Sequence, residues 1–73
     1  MLNVKELRIE MAKADIRSDA ELARKAGIAN MTISRLMSGR IPSYDTMRKI
    51  IDVLNLSAQR TVDIFFPDPP LGE

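Results

Sequence analysis

The segment that decides the fold runs from Ser18 to Arg40, "SDAELARKAGIANMTISRLMSGR". It opens on Ser-Asp-Ala-Glu, the form of a capping box: Ser18 accepts from the backbone N–H of Glu21, and Glu21 reaches back. Leu22, Ala23 and Ala26 then share one face of a short helix. Gly27 ends it where the chain needs a left-handed residue without a Cβ penalty. Ile28 turns inward, and a second helix follows with Ile33, Leu36 and the less central Met37 on one arc, stopped by Gly39. Ala23 is small where two steeply crossing helices come close. Five residues thus meet five separate steric demands: Ala23, Gly27, Ile28, Ile33 and Leu36.

Outward from this segment the same helical spacing recurs. Val4, Leu7, Met11 and Ala14 give a first amphipathic helix over about residues 3–14, and Ile16 packs inward from the connection. Pro42 marks a turn, and Ser43 is a good N-cap for a helix whose stripe is Met47, Ile50, Ile51 and Leu54. Leu56 and Ser57 begin a last short helix presenting Val62, Phe65 and Phe66. The closing "PDPPLGE" carries three prolines and reads as an extended tail. No alternating run suggests a strand. The expectation is an all-α chain of five short helices, with residues 1–66 as one domain and 67–73 as a Pro-rich C-terminal tail.

Composition narrows the chemistry. The chain has 73 residues and neither Cys nor His. That removes disulfides, thiol nucleophiles, Cys/His zinc sites and histidine acid–base catalysis together. The serines have no histidine base, the carboxylates are scattered on outward faces, and there is no glycine-rich phosphate loop. We expect no enzyme, no metal or other cofactor, and no small-molecule ligand. No apolar run approaches the ~20 residues of a membrane span, so the expected setting is cytoplasmic and nucleoid-associated. Net charge is only +1, but its distribution is uneven. From Arg24 to Lys49 there are six cations against Asp45 alone, whereas from Ile50 to the end Arg60 stands against four carboxylates. A near-neutral total hides a basic middle and an acidic end.

Two short helices joined by a glycine turn, the second carrying exposed polar residues, describe a helix-turn-helix. The run "ELA", Gly, "TISR", "SGR", Pro-Ser and a closing amphipathic helix resembles the lambda-repressor/Cro-like helix-turn-helix family, also called the xenobiotic-response-element type. The resemblance covers Val4 to about Phe66. It implies a compact five-helix bundle that binds double-stranded operator DNA as a homodimer, with the second helix of the motif in the major groove.

On that helix Asn30, Met31, Ser34, Arg35 and Ser38 lie opposite the apolar arc at roughly 100° per residue. Asn30 is suited to adenine and Arg35 to guanine O6 and N7, while Met31 is suited to a thymine methyl and Ser34 to close approach. Each also has a plainer reading. Asn30 can cap its own helix, because Ala29 is a poor cap. Arg35 can bridge to Asp19 or Asp45 or meet only phosphate. Met31 can fold over Ala20 or Thr32 or enter a dimer contact. The resemblance places phosphate contacts at Ser18 or Asp19 and at Ser38, Gly39 and Arg40. Arg17 and Arg48 are further basic candidates, and Thr32 combines packing with a phosphate hydrogen bond. Two residues depart from the family's pattern: Asp19, whose charge repels a phosphate, and Ala29, where a hydroxyl cap is usual. The expected role is a small transcriptional regulator, a repressor in particular. The alternative is a protein-interaction module, such as an antitoxin or accessory subunit, built on the same bundle. The apolar "IFFPDPPL" end, through Phe66, Pro67 and Leu71, is the segment read as able to cover a partner subunit.

Overall fold

A computed structural model describes residues 1–67. It forms α1 (Val4–Lys13), α2 (Asp19–Ala26), α3 (Asn30–Met37), α4 (Tyr44–Leu54) and α5 (Ala58–Phe65), with no strand among the described residues. The tail read as extended, apart from Pro67, lies outside them, as does Leu71. None of the helices is long and apolar enough to cross a membrane.

Local chemistry sets the helix ends. Asn3, Ser18, Ser43 and Ser57 each accept from a backbone N–H three residues on, so α1, α2, α4 and α5 have a side-chain N-cap. Only α3 lacks one: Ala29 occupies its N-cap position without a side-chain bond. The capping box of α2 is shifted by a residue from its sequence reading. Ser18 Oγ takes the Glu21 N–H at 3.0 Å, but Glu21 reaches back to the Arg17 N–H at 2.8 Å rather than to that of Ser18. Four C-termini close alike, each with a residue of positive φ. Asp15, Gly27, Gly39 and Asn55 have positive φ. The N–H that follows each returns five residues, as in Ile28 to the Ala23 carbonyl at 2.9 Å and Leu56 to Ile51 at 3.1 Å. After three of these turns the next residue is Ile16, Ile28 or Leu56, and its apolar side chain packs on the core.

One core joins the five helices. Leu7, Leu22, Ile33, Leu36, Ile50 and Phe65 are among its fully buried members. α2 packs against α3 and α4, and α1 packs against α5. Two readings of the last helix need correction. Val62 is exposed, and the buried pair on α5 is Ile64 and Phe65. Phe66 follows the helix and is also exposed. Leu2, outside any helix, is buried as well. Its N–H donates to the Gly39 carbonyl at 2.9 Å, and the Asn3 N–H donates to Ile64 at 2.8 Å, so the segment before α1 ties the end of α3 to α5.

The α1–α5 seam also carries charge. Arg60 donates to Glu6 at 2.8 Å, Glu10 at 2.9 Å and Asp63 at 3.2 Å. Glu10, only 9% exposed, also receives Lys13 at 3.3 Å. Burial works to raise the Glu10 carboxyl, but the hydrogen bonds from Arg60 and Lys13 outweigh it and hold it below the ordinary carboxylate range. The same bonds, to Glu6 first and then Glu10, raise Arg60 further above its usual value.

Candidate nucleic-acid interface

The interface is built on α3. Ile33 and Leu36 are fully buried against the bundle, which orients the helix and turns Asn30, Met31, Ser34 and Arg35 outward, all four exposed. Two of the plainer readings, a cap from Asn30 and an ion pair from Arg35, are not what the structure holds. Asn30 occupies the first helical position, so the cap is Ala29 and the Asn30 amide is not spent on its own helix. Arg35 meets neither Asp19 nor Asp45. Its Nη2 lies 3.6 Å from Met31 Sδ, one turn back on the same face. Met31 remains 65% exposed. The four residues read as base-contacting therefore share one outward face.

The expected phosphate contacts separate into groups. Arg35, Arg40 and Thr32 line a groove of about 300 Å³ between α3 and the start of α4, together with Leu36, Ile41 and Pro42. Of the cations from Arg24 to Lys49, Arg24 and Lys25 approach Glu21 at 3.9 and 3.7 Å, and Arg48 approaches Asp52 at 3.9 Å. Arg35, Arg40 and Lys49 have no carboxylate at ion-pair distance among the described residues. Lys49 carries no role in the sequence reading, since nothing in its spacing sets it apart from Arg48. The basic middle of the chain thus delivers two uncompensated guanidinium groups to one groove at the end of α3.

Ser18 and Asp19 stand at the start of α2, but their side chains are engaged. Ser18 Oγ caps the helix, and the Asp19 carboxylate pairs with Arg8 at 3.3 Å. Arg17 is exposed beside Asp15 at 3.1 Å and lines a different groove, between α1 and the loop that follows it. Its backbone N–H, above all, holds the Glu21 carboxyl below its ordinary value, against a desolvation that raises it and with help from the Lys25 and Arg24 charges. At the far end of α3, Ser38 Oγ donates to the Arg35 carbonyl at 2.6 Å. Gly39 departs furthest from its expected role. It is buried, its N–H donates to Leu36 at 3.0 Å and its carbonyl accepts from Leu2, which leaves no free donor for a phosphate. Gly39 closes the α3 turn, and Arg40 is the exposed cation that follows it.

A helix seated by its inner face, a left-handed glycine turn at φ 70° before it, and an outward face of Asn, Met, Ser and Arg define a helix-turn-helix protein. The helix-turn-helix family model matches residues 4–60. The chain belongs to this family, of lambda-repressor/Cro type, whose members are DNA-binding domains. No curated protein matches the chain, and neither does any solved structure.

Proposed function

We propose that the chain is a sequence-specific transcriptional regulator, a repressor, that reads the major groove of an operator with α3 as a homodimer. Residues 1–66 are the DNA-binding unit and 67–73 its tail. The observation that carries this reading is the unspent face of α3. Asn30, Met31, Ser34 and Arg35 are exposed, and among the described residues their side chains make no hydrogen bond or ion pair to the rest of the fold beyond the Arg35–Met31 contact. Their roles are base contacts, with Arg35 on guanine and Asn30 on adenine. Arg40, with Thr32 and Ser38 beside it, holds the backbone at one end of the helix. Arg17 and Arg48 supply weaker phosphate contacts, because each of their charges already has a partner in the fold, and the start of α2 is weaker still, with Ser18 spent on its cap and Asp19 anionic.

One such helix touches few base pairs, so useful specificity needs two copies on a two-fold site. Val62 and Phe66, one turn apart and 47% and 55% exposed, support a pairing surface on α5. The test is fluorescence anisotropy with a labelled duplex from the promoter of the protein's own gene, begun at low salt and titrated upward. Affinity should fall steeply and linearly on a log–log plot. Absence of any duplex binding at low salt refutes the proposal and favours a protein partner. Sedimentation equilibrium of Phe66→Glu beside the parent chain reads the dimer separately.

A further inference from the structure

We infer that Met31 and Arg35 act as one reading head, which selects a half-site in which a guanine is immediately adjacent to a thymine-bearing base pair. This rests on the DNA reading of α3 given above. The two residues stand four apart, so their side chains lie over one another on the helix surface. Helical side chains lean toward the N-terminus. Arg35 therefore runs back along the helix, and its Nη2 comes to rest 3.6 Å from Met31 Sδ. This carries the guanidinium to the level of Met31, in the N-terminal part of the helix that meets base edges in this arrangement.

The contact holds the guanidinium without spending it. A thioether sulfur is a weak acceptor, and it takes only one of the five N–H donors. No carboxylate competes for Arg35 among the described residues. A fork of two parallel donors remains for guanine O6 and N7. The exposed part of Met31 is apolar, and the complementary apolar group in the major groove is the C5-methyl of thymine. Successive bases on a strand are spaced by about 3.4 Å. The 3.6 Å between Nη2 and Sδ is of the size of one such step, which sets the two head groups to address neighbouring base pairs. A methionine that is a liability on an exposed helix face becomes both a support for the arginine and a methyl reader.

The test is selection from a fully randomised duplex pool, run on the parent chain, Met31→Ala and Arg35→Ala. Both side chains are exposed, so all three proteins should melt together. The parent should enrich a half-site with guanine directly beside a T·A pair. Arg35→Ala should lose the guanine preference by about 5- to 160-fold. Met31→Ala should lose the preference at the neighbouring pair and relax that at guanine. Replacing the selected thymine by deoxyuridine removes one methyl and should weaken the parent about fourfold, with no effect on Met31→Ala. The inference is overturned by a half-site without guanine, or by a guanine two or more steps from the methyl-bearing pair. It is equally overturned if deoxyuridine is bound as well as thymine, or if Met31→Ala weakens all duplexes alike. Failure of the parent to retain any duplex at low salt is a different result, because it removes the DNA reading itself.

Discussion

Gly27→Ala tests whether the turn between α2 and α3 rests on backbone conformation alone. Gly27 sits at φ 70°, ψ 41°, and an added Cβ would meet nothing within 4 Å. Steric exclusion therefore contributes nothing, and the whole cost is that of holding an L-residue in the left-handed region, about 1–2 kcal/mol. For a domain of this size each kcal/mol moves the melting point by about 4–8 °C, so the expected fall is about 4–16 °C. Gly27→Asn should fall by less, because asparagine tolerates this region, and Asn55 already occupies φ 53° after α4. Gly39→Ala differs in kind. Its φ of 101° lies beyond the left-handed well, and the new Cβ would stand 3.0 Å from Met1 Cε and 3.1 Å from Met1 Cγ. Those atoms belong to a flexible, exposed side chain and can move, so the steric part is small. The conformational part, about 1–3 kcal/mol, makes Gly39 the costlier site. Thermal unfolding followed by far-UV circular dichroism ranks the three variants. An unchanged melting point for Gly27→Ala, or Gly27→Asn as damaging as Gly27→Ala, would refute the reasoning.

Three other outcomes follow from named contacts. Arg40→Ala should weaken binding to selected and random duplexes alike and make the log–log salt slope shallower by about 0.9, one phosphate's worth; a changed base preference would count against a backbone role. Ala29→Ser supplies the cap that α3 lacks at an extended residue (φ −64°, ψ 144°) and should stabilise by about 1 kcal/mol, read as a rise in urea midpoint. The carboxyls of Glu10 and Glu21 lie below their ordinary value of 4.5 in the fold, so the stability they confer is present above that pH and is lost as pH falls through the depressed values. Urea melts from neutral pH down to pH 3 should show that decline, and Glu10→Gln should start less stable and decline less.

The helices were legible because their signals are local. Caps, left-handed stops and the 3.6-residue apolar stripe all lie within a few positions of the residues they organise. What escaped is what acts at a distance. Arg60 meets Glu6 and Glu10 from 54 and 50 positions away, and no spacing rule joins them. Leu2 is buried by a segment that makes no helix. On α5 a three-residue step in the sequence pairs Val62 with Phe65. The adjacent pair Ile64 and Phe65 is buried because α5 turns its Arg60 edge to α1 and leaves Val62 outside. The local signal of Gly39 is its place after α3. Its bond to Leu2, which removes it from the surface, comes from the opposite end of the chain.

The departures from local rule on α3 argue for the same face. Four helices receive a side-chain cap, and the exception is the helix whose outer residues the fold leaves unspent. An exposed methionine amid polar neighbours breaks the binary pattern on that same helix. Sequences tend to break such rules where function rather than stability selects the residue. Neither feature helps the bundle. Ala29 forgoes a cap, and Met31 keeps most of its apolar surface in water. A helix chosen for stability alone would carry a hydroxyl at 29 and a charge at 31. The face formed by Asn30, Met31, Ser34 and Arg35 is thus better explained by what it meets than by what it supports, and the sulfur–guanidinium contact is its most specific feature.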